Sequence, residues 1–411
     1  MVTEKQRVET GPRRVSVPVV LDYLLSHLGF FAVLPVLPLL VERLHPGTGP
    51  LYVGISLFLF NFAVRGASLF CSGLLHRTRI RHAMTGGLVL AAASFAALPF
   101  APGSIGVLVC LLLAGTGIST NGLMARVYVA MALESPAARN TVFSAVQVAV
   151  NVSAALGPIV ANFLLAQSLD VTLMLAVAAM YLLAAGLVAV TVPAGLRPGD
   201  HDVRPPLRLG LLKVVVTDPL VRRVSVVTAV GSFLYAQFFS AIALQVAELT
   251  GSAALRASFF TTNAILVVVV QIPVTAYAQR RLSAGATPFG FLLVGVTIFA
   301  AGFAVMGAAG ATLVGAFAAV VVFSVAETFF TPTVNTAFSA IPGDRPMVEL
   351  FNLRQVAATA GESLGGFAGG ALFLTAAQFG ARPVYWGVLA VVGLLCVLSY
   401  PRSRTTTEAA A

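Results

Sequence analysis

The sequence predicts an all-α membrane protein whose twelve transmembrane helices form two pseudo-symmetric halves of six. Composition predicts the membrane: the chain is 58% hydrophobic before its 37 glycines are counted, and only 10% charged. Soluble domains reach about 45–50% apolar with glycine included, and about 25% charged. Continuous apolar runs predict helices. A bilayer-spanning helix needs about 20 such residues, whereas strands of a membrane barrel alternate at period two. A likeness between the two halves of the chain predicts the pseudo-symmetry. A soluble enzyme, a disordered chain and a nucleic-acid-binding domain are excluded by the same composition.

The chain opens with a polar tail, 1–15, carrying Lys5, Arg7, Arg13 and Arg14. The apolar run behind it is too long for the core of a secretory signal. Twelve runs follow, here spans 1 to 12: approximately 16–41, 51–75, 83–101, 104–132, 141–166, 171–193, 222–246, 255–277, 286–308, 312–338, 351–377 and 382–400. Several breaks between them are short, such as Pro102-Gly103. The first six fill an N-terminal half, 16–193. The longest polar stretch, 194–221, holds Pro198, Pro205, Pro206 and Pro219 and reads as a central cytoplasmic loop. The C-terminal half covers 222–400 and a second tail covers 401–411.

Lys and Arg orient the bundle, because cytoplasmic loops of membrane proteins carry an excess of them. With the N-terminus in the cytoplasm, 19 of the 25 cations fall on cytoplasmic segments. Arg43, Arg256 and Arg382 fall outside, and Arg65, Arg126 and Arg354 lie within spans. Both termini are therefore expected in the cytoplasm of a cell whose inner or plasma membrane holds the protein. The net charge of +10 is a topology signal, not a sign of nucleic acid. Cys71, Cys110 and Cys396 sit in apolar runs without disulfide or zinc spacing.

The repeat is clearest in spans 5 and 11. Residues 143–161 read FSAVQVAVNVSAALGPIVA and residues 351–369 read FNLRQVAATAGESLGGFAG. Phe143, Gln147, Val148, Ala149, Leu156 and Gly157 recur as Phe351, Gln355, Val356, Ala357, Leu364 and Gly365, at an offset of 208. The same offset sets Phe30-Phe31 of span 1 on Phe238-Phe239 of span 7. A parallel six-plus-six repeat is the layout of one large class of secondary transporters.

Four stretches carry a more specific likeness: LGFFAVLPVLPLL in span 1, NVSAALGP in span 5, NAILVVVVQIP in span 8 and AETFFTP in span 10. On these the whole chain resembles the major facilitator superfamily, and within it the drug/proton antiporter type. The resemblance implies a monomer and a cavity lined by spans 1, 4, 7 and 10. The loop between spans 2 and 3 departs from the family's G-x-L-A-D-R-x-G-R pattern. It reads Gly73-Leu74-Leu75-His76-Arg77-Thr78-Arg79-Ile80-Arg81, with Arg77 at the acidic position. Leu111 stands where such antiporters often carry an arginine in span 4.

A charge inside a bilayer needs a partner, a water-filled cavity or a task. Glu327 in mid-span 10 is the leading candidate for a proton site or a cation anchor, or else it is a structural acid. The resemblance favours the first, since an acid before a TFFTP-like stretch recurs in drug exporters. Phe323 and Phe330 flank Glu327 as candidate substrate contacts, and Pro332 permits a kink. Asp22 and Arg126 lie at similar depths, about 9 Å from the ends of spans 1 and 4 at 1.5 Å per residue, and are expected to pair, either statically or in a bridge that breaks when Asp22, a second proton-coupling candidate, takes a proton. Arg65 lies one turn from Asn61 and pairs with an acid such as Asp22, steadies the neighbouring loop or touches substrate. Glu362 has Ala154 as its repeat counterpart, so it belongs to one half only; it is a further proton-coupling candidate, or it holds a close helix contact. Among neutral residues Asn121, Gln147, Asn151, Tyr235, Gln237, Asn263 and Gln271 either touch substrate or bond between helices. Tyr235 and Gln237 are about 200° apart on a helix and cannot both face one cavity. His27 reads as an ordinary buried polar residue.

No nucleotide-binding glycine loop, catalytic triad spacing or metal cluster is present in the sequence, so neither an enzyme nor a resident cofactor is expected. The expected activity is secondary active export of an amphipathic small molecule, cationic or zwitterionic, by alternating access in exchange for protons. The many Phe, Val and Ala residues and single Trp suit a lipophilic ligand better than a sugar. The alternatives are an importer or facilitator for a small nutrient such as an amino acid or organic acid, and a non-transporting membrane sensor.

Overall fold

A computed structural model describes residues 12–133, 136–198, 209–342 and 347–400. Every regular element among them is helical. Ten helices are long and apolar enough to cross a membrane, and Arg382–Leu398 is a shorter apolar helix. The remaining span, Met347–Gln378, is built from three consecutive helical pieces and carries Glu349, Arg354 and Glu362.

Spans 2 to 6 are Gly49–Arg77, Ile80–Ala97, Gly103–Ala132, Pro136–Ala166 and Asp170–Thr191. Spans 8 to 10 are Ala253–Ser283, Pro288–Ala309 and Leu313–Ser339. The offset of 208 therefore relates the elements throughout, not only in spans 5 and 11. Caps set the starts of several helices. Asp218 accepts from the backbone N–H groups of Leu220 and Val221 ahead of span 7, and Ser252, Thr287 and Thr312 cap spans 8, 9 and 10. Each satisfies an orphan donor of a first turn. Within the stretch read as a polar loop, Leu209–Thr217 forms a further short helix. Its LGLLKVVVT sequence is apolar enough to lie against spans 7 and 11.

Three spans are interrupted. Span 1 runs Pro12–Val33, turns at Leu34–Val36 and resumes at Leu37–Leu44. Pro35 and Pro38 supply the physical reason, since each removes a backbone donor. Span 7 runs Pro219–Ala236, tightens to a 3-10 turn at Gln237–Phe239 and resumes at Ala241–Leu249. Span 11 contains a π-helical turn, Ala368–Leu372, between Met347–Phe367 and Phe373–Gln378.

The buried apolar residues form two cores, one from Val15 to Val192 and one from Val221 to Cys396. Leu39, Phe239 and Leu374 touch both. In each half, glycine lets one helix lie close on another. A Cβ on Gly157 of span 5 would meet the backbone of Phe31 and Ala32 in span 1, and a Cβ on Gly365 of span 11 would meet the Phe233 carbonyl of span 7. The repeat seen in the sequence is thus a repeated packing contact.

The near face is taken as the one on which span 1 begins and span 12 ends. On the far face the halves meet tightly. Gly54 of span 2 abuts Gly370 and Ala371 of span 11, and Arg256 of span 8 donates to Asn162 Oδ1 of span 5 at 3.2 Å. Arg43–Asp170 and Glu248–Arg382 tie spans 1 to 6 and 7 to 12 with opposite charge order. Toward the near face, spans 2 and 11 stay in contact: Gln355 Nε2 donates to the Arg65 carbonyl at 2.7 Å. The repeat equivalent would join Gln147 to the carbonyl of residue 273. That bond is not made; Gln147 donates to Asn151 at 3.1 Å instead.

Candidate functional site

A cavity of about 500 Å³, mouth included, lies between the two halves. Phe30, Phe31 and Leu34 line it from span 1, and Tyr235, Phe239 and Ser240 from span 7. These residues sit at or beside the interruptions in both spans, so the breaks in helix regularity shape its wall. Phe31 and Phe239 lie with ring centroids 6.2 Å apart across the pseudo-symmetry axis. Arg65 and Asn61 face the same cavity from span 2, one turn apart, and Glu362 faces it from span 11.

Arg65 Nε donates to Glu362 Oε2 at 2.6 Å, an ion pair between the halves. Its partner is therefore neither Asp22 nor a loop residue. The Arg65 side chain is 43% exposed although it lies deep within its span. Charges at such depth face the bundle interior or a cavity rather than lipid, and Arg65 lines the cavity between the halves. Arg126 is also exposed within span 4. With the far face sealed by the contacts described above, the passage from the cavity runs toward the near face.

The expected Asp22–Arg126 pair is absent. Asp22 is fully buried and both its oxygens accept from Asn121 Nδ2 at 3.2 Å. The reason is angular. Arg126 stands five residues beyond Asn121, about 140° further round the helix, so turning Asn121 toward Asp22 turns Arg126 away from it. In the other half, Asn263 Nδ2 donates to Glu327 Oε2 and to Ser324 Oγ, each at 3.0 Å. The Tyr235 hydroxyl lies beside the same carboxylate. Each half thus holds one acid in the grip of an asparagine, and neither acid has a cationic partner among the described residues.

Other candidates fall elsewhere. Gln237 is fully buried, donates to the carbonyl of Gly365 at 3.0 Å and accepts from the Tyr385 hydroxyl at 2.6 Å. It knits spans 7, 11 and 12 and does not line the cavity. Phe323 is buried in an aromatic stack with Phe238 and Phe299. Phe330 is buried against Gly231 and Gly295. Both are core residues in this conformation. Gln271 bonds to Thr275 at 3.0 Å and to the Thr328 carbonyl at 3.4 Å. Gln147 is exposed and Asn151 half-buried on span 5. His27 stacks on Tyr23. Among the described residues no group of three His, Cys, Asp or Glu side chains could hold a metal ion.

Sequence reasoning did not single out Phe31, Phe239, Leu34, Leu57 or Ser240 as cavity residues. The signal was available for two of them: the offset of 208 aligns the Phe pairs of spans 1 and 7, the residues that meet across the axis.

The profile of the Major Facilitator Superfamily matches residues 19–348. The multidrug resistance protein MdtH of Edwardsiella ictaluri (strain 93-146) is 24% identical over 382 residues, covering 91% of this chain and 90% of that protein. Among solved structures, a peptide transporter POT superposes with a TM-score of 0.78 at 13% identity, over 94% of each chain. A bacterial homologue of the human lysosomal transporter Spinster, inward-facing and unoccupied, superposes with a TM-score of 0.72 at 13% identity, over 95% of this chain and 98% of that one. With a profile spanning both halves, and a twelve-helix bundle folded around a central cavity, the chain belongs to the Major Facilitator Superfamily of membrane transporters.

Proposed function

We propose that this transporter exports an amphipathic small molecule in exchange for protons, with the near face in the cytoplasm of the inner or plasma membrane. The observation that carries the reading is the pair of acids, Asp22 and Glu327. Each is held by an asparagine and has no cationic partner among the described residues, and Glu327 lies beside Tyr235, which lines the cavity. An acid without a counter-charge in a bilayer core is relieved of its charge by a proton. Taking that proton from one side and losing it to the other couples transport to the gradient. Tyr235 links the two functions, since it lines the cavity and lies beside Glu327.

The excess of Lys and Arg on near-face segments supports the orientation. The near-face opening then makes this conformation the one that loads from the cytoplasm. The aromatic wall supports a lipophilic substrate body, and the likeness to MdtH supports efflux. The protein acts as a monomer, since the cavity lies between halves of one chain.

The test is flux of a lipophilic fluorescent probe in proteoliposomes under an imposed pH gradient. Wild type accumulates or expels the probe against its gradient only while the pH gradient lasts. Glu327→Gln, correctly folded, loses that coupling. Coupled flux that survives Glu327→Gln, or flux that ignores the pH gradient, would sink the exchange reading and favour a facilitator.

A further inference from the structure

Three arginines with unused donors, Arg65, Arg126 and Arg354, lie toward the near face. Arg126 is exposed and makes no hydrogen bond or ion pair among the described residues. Arg354, on span 11, leaves its Nε buried without a partner. Arg65 bonds to Glu362 through Nε alone, and its two terminal nitrogens make no hydrogen bond. The three act on one another: Arg354 feels the charges of Arg65, Arg126 and Glu362. They come from spans 2, 4 and 11, so both halves contribute to the cluster, and Arg65 carries it to the cavity wall.

Acids do not balance them. Among the described residues Glu362 is the acid facing this cluster, and it is already engaged by Arg65. Asp22 is buried behind Asn121, and Glu327 is held by Asn263 and Tyr235. His27, Tyr23 and Tyr235 are the other titratable side chains within electrostatic reach of Arg65 or Arg126 among the described residues, and none of them is a carboxylate. Unpaired guanidinium groups near a low-dielectric wall are costly to maintain. Their planar forks match a carboxylate in a bidentate manner. Immediately above them the cavity is walled by Phe30, Phe31, Leu34, Leu57 and Phe239.

We infer that the substrate carries an anionic group, a carboxylate or its equivalent, on a lipophilic aromatic or aliphatic body. The anion is received by Arg126 and Arg354 on the way in and reaches Arg65, where it competes with Glu362. The body lies against the phenylalanines. This rests on the transporter reading above and narrows its substrate to organic anions and zwitterions, at the expense of simple lipophilic cations.

The experiment uses two probes with one body and opposite heads, pyrenebutyrate and pyrenebutyl-trimethylammonium, with the purified full-length protein. Pyrenebutyrate should bind at least roughly tenfold more tightly than the cation, the scale of one charged hydrogen bond. Arg126→Gln and Arg354→Gln should each weaken pyrenebutyrate several-fold and leave the cation unchanged, while Arg126→Lys retains most of the preference. Glu362→Gln, which frees Arg65, should tighten the anion. Equal or tighter binding of the cation, anion binding indifferent to Arg126→Gln and Arg354→Gln, or binding of neither probe would overturn the inference. Flux separates it from the exporter reading. A cation moved by the pH gradient in a Glu327-dependent way upholds export and overturns the anion site. An anion bound through these arginines but never moved by the gradient upholds the site and overturns export.

Discussion

Asp22 and Glu327 show how far single residues can be read. A carboxylate inside an apolar run stands out in any sequence, and its depth follows from the rise per residue. Its partner does not follow, because a partner depends on how each helix is rotated. Asp22 shares its depth with Arg126 yet is bonded by Asn121. Glu362 has no counterpart in the other half, and its ion pair with Arg65 crosses between halves, 297 residues apart in sequence. If Asn263 is what holds Glu327 in place, Asn263→Ala should weaken coupled transport by an order of magnitude, roughly the worth of one charged hydrogen bond. Binding of an uncoupled probe should change less. Flux with and without a pH gradient checks this, and equal loss of both would show that Asn263 acts only through folding. Asp22→Asn keeps the size of the side chain and removes its proton; it should likewise spare expression and reduce coupling.

At the scale of elements, the twelve helices were legible because hydropathy and length suffice to define a span. The repeat also marked Gly157 and Gly365 as equivalent, and both are packing contacts. A methyl group at Gly365 would lie 2.5 Å from the Phe233 carbonyl oxygen and 2.8 Å from the Ala236 Cβ. The backbone must then move, so Gly365→Ala should destabilise the protein by about 1–3 kcal/mol. Gly186 has nothing within 4 Å of the same position. Gly186→Ala should be neutral or stabilising by up to ~1 kcal/mol, the difference in helix propensity. Denaturant unfolding in detergent checks the pair. The π turn of Ala368–Leu372 and the 3-10 turn of Gln237–Phe239 were not legible. They arise where spans 7 and 11 press together at Ser240 and Gly369, and such tertiary contacts leave no periodicity in the chain. These turns matter to the site, since the cavity is walled beside them.

For the whole molecule, the sequence carried the pseudo-symmetry and the structure breaks it. Spans 2 and 11 are bonded through Gln355, whereas Gln147 turns back on Asn151 instead of making the equivalent bond to span 8. On the far face Asn162 and Arg256 bridge the same two spans. Which contacts are made depends on the conformation, so no reading of one chain could assign them. This asymmetry predicts a pattern of accessibility. In a variant lacking Cys71, Cys110 and Cys396, a membrane-impermeant maleimide added from the near face should label Arg126→Cys in the substrate-free protein. The same reagent added from the far face should leave Asn162→Cys unmodified, because that residue is buried in the closed contact. Substrate turnover should reverse both results. Labelling of Asn162→Cys at rest would mean that the far face is open.

Proton exchange at the two acids is the centre of the account, and the movement of protons themselves tests it most directly. Proteoliposomes with a pH reporter in the lumen and no initial pH gradient would be given a gradient of substrate alone. The account predicts that protons move opposite to the substrate in wild type, and that Glu327→Gln abolishes the proton movement. Substrate that crosses without any change in lumenal pH, or with protons moving in its own direction, would contradict it.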